Sequence, residues 1–149
     1  DRIVTGWGAS LSGIWQFAEN TSLCFQGVYG KGISNYIQDI SGSGLDLVPS
    51  ATAEGKLKAF NAWGGYIGFS HNWSKVLTSN IMYSYARALD RYGMPATSYK
   101  YAQYAAANLF WDFSEYGSCA IEYVFGRRND FNKDYGNASR INTMIQYRF

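Results

Sequence analysis

Hydrophobic and polar residues alternate with a period of two through most of this chain. The alternation is clearest over residues 137–149, where Ile141, Thr143, Ile145, Tyr147 and Phe149 alternate with Arg140, Asn142, Met144, Gln146 and Arg148. Successive side chains of a strand point to opposite faces, so the pattern predicts a strand with one apolar and one polar face. The same split predicts six further strands, within residues 7–17, 23–29, 63–70, 77–85, 104–113 and 118–125.

The predicted connections alternate between short and long. The short ones share an aromatic residue, a small residue and then a charge: Phe17-Ala18-Glu19-Asn20, Trp73-Ser74-Lys75 and Phe113-Ser114-Glu115. The long ones are residues 38–58, 89–100 and 128–136, and they contain both prolines, which cannot donate to a strand ladder. Short periplasmic turns and long outer loops are typical of outer-membrane β-barrels.

Aromatic residues fall into two bands along the predicted strands. One band borders the short turns and the C-terminus and comprises Trp15, Phe17, Trp73, Trp111, Phe113, Tyr147 and Phe149. The other lies nearer the long loops and comprises Trp7, Tyr29, Trp63, Tyr83, Tyr85 and Tyr123. Amphipathic rings favour membrane–water interfaces, so the two bands predict two membrane interfaces. A soluble sandwich with an aromatic core is the alternative, but it would not sort its aromatics into bands.

Composition supports a membrane barrel over a soluble domain. Aromatic residues make up 18% of the chain and charged residues 16%, whereas ordinary globular proteins carry about a quarter charged residues. No segment approaches the roughly 18 apolar residues that a membrane helix needs. The formal net charge of +2 is too small to indicate nucleic-acid binding. Cys24 and Cys119 lack metal-like spacing, and we interpret both as small strand residues, although a periplasmic disulfide is chemically possible.

The sequence carries no catalytic constellation. Its single histidine, His71, falls on the apolar phase beside Trp73, where an interfacial role is the simpler interpretation. Neither a Ser/His/Asp order nor a cluster with metal-ligand spacing is present. We therefore predict no enzymatic activity, no cofactor and no metal.

Polar residues within the strands predict the lining of a water-filled pore. An Arg or Lys facing lipid at mid-depth costs about 2–4 kcal/mol, so charges on the polar phase should face a lumen. The predicted lining residues are Glu122, Arg128, Arg140, Asn142, Asn108 and Gln146. Glu122, Arg128 and Arg140 would set a field that biases which ions enter. Alternatively, Glu122 and Arg140 form an ion pair that only braces the wall, and both roles can hold.

Two further regions leave their role open. Arg127 lies on the outward phase but near a long loop, where it could reach lipopolysaccharide phosphates. Segment 38–58 carries Asp39, Asp46 and Glu54, and its Ser-Gly-Ser-Gly run indicates mobility. This segment could fold inward and narrow the pore, or it could stand at the surface.

The strand count predicts that part of the barrel is missing from these residues. Single-chain bacterial barrels have an even number of strands, whereas seven strands place the two ends of the chain on opposite sides of the membrane. We therefore expect residues 1–149 to be a single β-barrel domain that forms the C-terminal portion of a longer chain. The alternative is that Asp1 is the mature N-terminus and that an eighth strand escapes the pattern.

Several stretches resemble a known family. The ending Tyr147-Arg148-Phe149 is similar to the C-terminal signal of Gram-negative outer-membrane proteins. Four further stretches resemble DcaP-like trimeric porins: GWGASLSG at 6–13, ANL at 107–109, EYVFGRR at 122–128 and the closing run 138–149. The resemblance covers most of the chain, but only the C-terminal part of such a porin. It implies an all-β, antiparallel, 16-stranded transmembrane barrel that assembles as a homotrimer and admits small, often anionic, solutes.

The expected function is that of a porin in the bacterial outer membrane, giving passive diffusion of small hydrophilic solutes. Its expected partners are outer-membrane lipid, lipopolysaccharide and the solutes themselves. A small closed barrel with a structural or adhesive role and no open pore is the main alternative. An outer-membrane enzyme and a soluble lipocalin-type barrel, which would turn its apolar face inward, are further alternatives.

Overall fold

The computed structural model describes residues 3–50, 52 and 55–149, and most of them form one antiparallel β-sheet. Its seven long strands are β1 (Trp7–Ala18), β2 (Thr21–Lys31), β5 (Asn61–Asn72), β6 (Leu77–Ala88), β7 (Tyr99–Asp112), β8 (Gly117–Asp130) and β9 (Tyr135–Tyr147). They pair in the order β1-β2-β5-β6-β7-β8-β9, so each long strand lies beside the next one in the chain. The seven predicted strands and the all-β antiparallel class are confirmed. In the described part of the chain, β1 and β9 are the open edges of the sheet.

A small insertion separates β2 from β5. It contains a 3-10 helix (Ser34–Tyr36) and a separate hairpin of β3 (Leu47–Pro49) and β4 (Leu57–Ala59). Prediction from the sequence treated residues 38–58 as loop and missed this hairpin. Glu54, one of the charges noted in that segment, and Asp1 lie outside the described residues. No helix in the described part of the chain is long and apolar enough to cross a membrane.

The pairing register sorts the strand residues onto two faces that differ sharply in chemistry. One cross-strand row that runs through all seven long strands is wholly apolar: Trp15, Leu23, Phe69, Ile81, Ala107, Tyr123 and Ile141. The row formed by the adjacent residues is wholly polar: Gln16, Ser22, Ser70, Asn80, Asn108, Glu122 and Asn142. A slip of one residue in any strand would exchange its faces, so this agreement fixes the register. The two faces are called the odd face and the even face after their residue numbers.

The connections lie at two ends of the sheet, called the turn end and the loop end. Turns at Glu19–Asn20, 73–76 and 113–116 form the turn end, as predicted. The predicted long loop at 128–136 is wrong, because β8 continues to Asp130 and β9 begins at Tyr135. Its charges suggested a loop, yet Arg128 remains paired with Ala102 of β7 and Gly136 of β9. Arg128 also forms an ion pair with Asp130, with 2.9 Å between Nε and Oδ1. Only residues 131–134 turn, with Lys133 at a φ of 76°.

The buried core lies at the loop end, on the even face. Ile33, Ile37 and Ile40 of the insertion cover small alanines of β5 and β6, together with Val48, Phe60 and Tyr99. A bulge between Tyr99 and Tyr101 turns Tyr99 onto this face, where its hydroxyl donates to the carbonyl of Ala86 at 3.0 Å. The alanines leave the space that the isoleucines fill. The core therefore fastens the insertion to the sheet.

Candidate pore wall and constriction

The structure places all six predicted lining residues on the even face. Asn108, Glu122 and Asn142 are consecutive members of one cross-strand row, whereas Arg140, Arg128 and Gln146 belong to other rows of that face. Each side chain retains at least partial solvent exposure. Asn108, Glu122 and Asn142 belong to the wholly polar row, whereas the row that contains Arg140 is otherwise apolar or small: Ile14, Cys24, Gly68, Met82, Ala106 and Val124.

Glu122 is the centre of a hydrogen-bonded ladder across four strands. Asn142 donates its amide to Glu122 Oε1 at 2.9 Å, and Asn108 donates to Glu122 Oε2 at 3.4 Å. Asn80 in turn donates to Asn108 Oδ1 at 2.8 Å. Prediction from the sequence did not include Asn80 among the lining residues, because only the register reveals that it continues the row. The ladder satisfies the Glu122 carboxylate with neutral donors.

The predicted ion pair between Glu122 and Arg140 is wrong. Arg140 lies opposite Val124, two pairs away from the Glu122–Asn142 pair. The described residues contain two ion pairs, Lys58–Asp90 and Arg128–Asp130, and Arg140 belongs to neither. Sequence position put Glu122 and Arg140 on adjacent strands but could not give the register. Arg140 consequently presents an exposed guanidinium to the space in front of the even face.

The first part of the insertion packs against the even face of the sheet. Residues 33–40 lie over the even face, and the Ile37 side chain comes within 3.3 Å of the position that a Cβ on Gly64 would occupy. Ile33 approaches Gly8 in the same way, at 2.9 Å. These glycines permit the close approach because a side chain at either position would meet the insertion. The inward part begins before the segment predicted as loop, and residues 41–44 are exposed.

Asp46 holds the inward segment in its fold. Its Oδ1 accepts hydrogen bonds from the Ser34 backbone N–H at 3.0 Å and from the Ser34 hydroxyl at 2.7 Å. Its backbone carbonyl accepts from the N–H of Phe60 at 2.8 Å. Ser34 is 1% exposed, so these bonds satisfy groups that would otherwise be buried without partners. The segment is therefore fixed at its start and at its return to the sheet.

A cleft of about 650 Å³ remains between the inward segment and the wall. The segment contributes Tyr36, Ile37, Gln38 and Asp39, and the wall contributes Gln26, Tyr66, Ser84 and Tyr104, which are cross-strand neighbours in one row. Arg140 also lines the cleft, although it lies on β9, two strands beyond Tyr104. Between them, Gly126 of β8 lies opposite Tyr104 and leaves open space, since a Cβ there would meet no atom within 4 Å. An acidic group and a basic group thus face one cleft from opposite sides.

Partial burial at the cleft raises the pKa of Asp39. Solvent reaches much of this residue, yet the surrounding insertion and wall exclude enough water to raise the pKa of its carboxyl above the ordinary value of 3.8. Desolvation disfavours the charged form of an acid, which explains the direction. The carboxyl of Asp39 therefore gains its proton at a higher pH than an ordinary aspartate.

The predicted aromatic band at the turn end lies on or beside the odd face. All seven of its residues are exposed: Trp15, Phe17, Trp73, Trp111, Phe113, Tyr147 and Phe149. Neighbouring rings contact each other, with centroids 5.7 Å apart for Trp15 and Phe17 and 5.9 Å apart for Trp111 and Phe113. The band forms a near-continuous aromatic edge.

His71 belongs to this aromatic edge. Its ring lies 4.5 Å from that of Trp73, and its Nδ1 is 2.9 Å from the Thr21 hydroxyl. Among the described residues, no group of three or more His, Cys, Asp or Glu side chains is placed to hold a metal ion. Both contacts of the His71 ring serve the local packing of β2, β5 and the following turn.

The fold is that of a known outer-membrane channel. The crystal structure of the outer membrane channel DcaP of Acinetobacter baumannii superposes with a TM-score of 0.77 at 18% sequence identity. The alignment covers 97% of this chain and 41% of that one, so the chain spans less than half of the solved channel. The resemblance to DcaP-like porins is thereby confirmed at the level of the fold. No protein-family model matches the sequence, and the search of curated proteins gives no significant match.

Proposed function

We propose that this chain forms part of the wall of a passive outer-membrane channel for small hydrophilic solutes. The observation that carries the proposal is the pair of adjacent rows, one wholly apolar and one wholly polar, that cross all seven long strands. A sheet with these faces suits a barrel whose outer surface meets lipid and whose inner surface meets water. The similarity to a channel fold supports the same assignment. In this proposal the odd face contacts lipid and the even face lines the lumen.

We propose that the barrel closes with more strands than the seven described. Unpaired backbone groups along β1 and β9 would be costly in lipid, so in this proposal further strands pair with both edges. These strands come from the same polypeptide or from another copy. We propose a location in the bacterial outer membrane, with short turns in the periplasm, and a homotrimeric assembly as in the porins that the sequence resembles.

Residues 33–40 narrow the channel in this proposal, and the cleft sets its preference. Glu122 accepts hydrogen bonds from two amides, and Arg128 is paired with Asp130. Arg140 is the basic residue of the wall that lines the cleft, so in this proposal it favours the entry of small anions. Asp39 faces it from the inward segment and opposes that preference while its carboxyl is ionised. Fixed charges at a constriction bias permeation in this manner.

Ion selectivity in planar bilayers tests the proposal. The full-length protein should conduct, and Arg140→Glu should shift the reversal potential in a salt gradient towards cation preference. Arg127→Glu is the matched control, because it makes the same charge change on the odd face of the neighbouring strand. Equal shifts in both variants, or none in Arg140→Glu, would contradict the assignment of the even face to the lumen. A folded protein without conductance would favour the closed structural or adhesive barrel.

A further inference from the structure

The charged residues of the strands are distributed unequally between the two faces. All acidic residues of the seven long strands, Asp112, Glu122 and Asp130, are on the even face, and the odd face has none. The odd face instead carries Lys31, Arg87 and Arg127, each within four residues of the loop end of its strand. No lysine or arginine lies on the odd face near the turn end of these strands. The outward face is therefore locally cationic at one end only.

A fourth cation joins this group at the bulge in β7. The ammonium of Lys100 lies 5.9 Å from the ring centroid of Tyr101, which is on the odd face. Tyr101 is paired with Arg87. The Arg127 guanidinium lies 4.3 Å from the ring centroid of Tyr135. These four cations, Lys31, Arg87, Lys100 and Arg127, are called the cationic arc. Arg87 and Arg127 are two strands and two pairs apart, which places them about 12 Å from each other.

A hollow of about 870 Å³ opens in the odd face beside the arc. It arises where Gly27 and Gly65 are directly paired, so that neither strand contributes a side chain. At Gly65 a Cβ would approach the Gln26 carbonyl oxygen to 2.6 Å, so this position excludes larger residues. Leu11 and Tyr85 flank the glycine pair in the same row. Ile67 and Tyr83 line the hollow towards the turn end, and Tyr29 and Trp63 line it towards the loop end.

Towards the loop end, the apolar hollow is followed by an aromatic rim and then by the cationic arc. Trp63, on the rim of the hollow, is paired with Arg87 of the arc. The aromatic rings of Trp63 and Tyr85 lie 5.1 Å apart, and those of Tyr85 and Tyr101 lie 5.5 Å apart, which connects rim and arc. An apolar depression, an amphipathic rim and a set of cations are complementary to an acyl chain, its glycerol or sugar linkage and a phosphate.

We propose that this surface binds lipopolysaccharide, with an acyl chain of its lipid A in the hollow and the phosphates on the cationic arc. The proposal rests on the proposed function, because it requires the odd face to meet the outer leaflet. Charge complementarity favours this occupant over a second copy of the chain. The odd face has no carboxylate in its strands to meet the arc of a neighbour.

Binding of bisphosphorylated lipid A to the full-length protein in detergent tests the proposal. Each cation near an anionic headgroup contributes enough that Arg87→Gln, Lys100→Gln and Arg127→Gln together should weaken binding roughly 100-fold. Arg128→Gln with Arg140→Gln, on the even face, should leave binding unchanged. Dephosphorylated lipid A should bind the wild type as weakly as the triple variant binds the intact lipid. Equal affinity for the two lipids, or equal losses on the two faces, would overturn the proposal.

The hollow has its own test in Gly27→Leu. A Cβ at Gly27 would meet no atom within 4 Å, so the leucine side chain can enter the hollow without disturbing the strand. It should weaken lipid A binding while preserving folding. A variant that keeps lipid A binding but loses its oligomeric state in detergent would assign the hollow to a contact between copies and overturn the proposal. Conductance in bilayers without lipid A separates the two hypotheses, because a conducting protein that fails to bind lipid A refutes this inference alone.

Discussion

Ile37 anchors the inward segment, and its replacement by alanine should loosen the constriction. The side chain is 5% exposed and contacts the even face at Gly64, within the cluster that contains Phe60, Ala62 and Ala86. Ile37→Ala removes three carbon atoms from this contact and leaves the strands of the wall unchanged. The perturbation therefore acts on the docking of residues 33–40 more than on the sheet.

The size of the effect follows from the buried side chain. Truncation of a buried isoleucine to alanine costs about 2–5 kcal/mol, and the lost burial alone accounts for about 2.4 kcal/mol at 0.8 kcal/mol per methylene. If the substitution weakens docking by about 3 kcal/mol, the ratio of undocked to docked segment rises roughly 100-fold, since each 1.4 kcal/mol is a factor of ten. An undocked segment no longer occupies the space in front of the even face.

Single-channel recording measures this change directly. We expect Ile37→Ala to raise the mean conductance and the current noise, because the segment exchanges between docked and free states. Leu57→Ala is the control, since Leu57 lies on the separate hairpin and is 55% exposed. A folded Ile37→Ala protein with the conductance and noise of the wild type would refute the idea that residues 33–40 narrow the pore.

Three further predictions concern the cleft, the ladder and the strand pairing. Desolvation raises the pKa of Asp39 above 3.8 in the docked segment, so protonation of its carboxyl at falling pH favours docking. Loss of this negative charge should also raise the preference for anions at low pH, and Asp39→Asn should abolish that pH dependence in bilayer recordings. Glu122→Ala leaves the Asn108 and Asn142 amides without their acceptor and should lower the free energy of unfolding by about 1–3 kcal/mol in urea titrations. An unchanged free energy of unfolding would contradict a stabilising role of the ladder. Gly30→Ala should disrupt β1–β2 pairing, since its Cβ would overlap the Trp7 carbonyl, while Gly27→Ala should fold normally in gel-shift assays.

The strands and their faces were predictable from the sequence because the alternation is local. The alternation around residues such as Ile141 and Asn142 is enough to assign each one to a face of its strand. Seven such segments predict one sheet. The error at 128–136 also has a local cause. Charges at Arg128 and Asp130 resemble those of a loop, but the pairing of β8 with β7 and β9 continues through Asn129, which the local sequence does not reveal.

The contacts between elements could not be predicted, because they depend on register and on chain reversal. A shift of two residues decides whether Glu122 lies opposite Asn142 or Arg140, and the alternation of apolar and polar residues is the same in both registers. The inward fold of residues 33–40 depends on glycines and alanines that lie far along the chain, such as Gly64 and Ala86. Neither position carries a signal of its own in the sequence.

A cysteine-accessibility scan along β8 tests most directly whether the even face meets water and the odd face meets lipid. Residues 120–125 are replaced one at a time by cysteine in a background with Cys24→Ser and Cys119→Ser, and the full-length protein is reconstituted into lipid vesicles. A charged thiol reagent should modify positions 120 and 122 quickly and positions 121, 123 and 125 slowly, and position 124 is the buried reference, because Val124 is 6% exposed. The opposite phase would indicate a soluble barrel with an apolar interior, and equal rates at all six positions would contradict the two-faced wall.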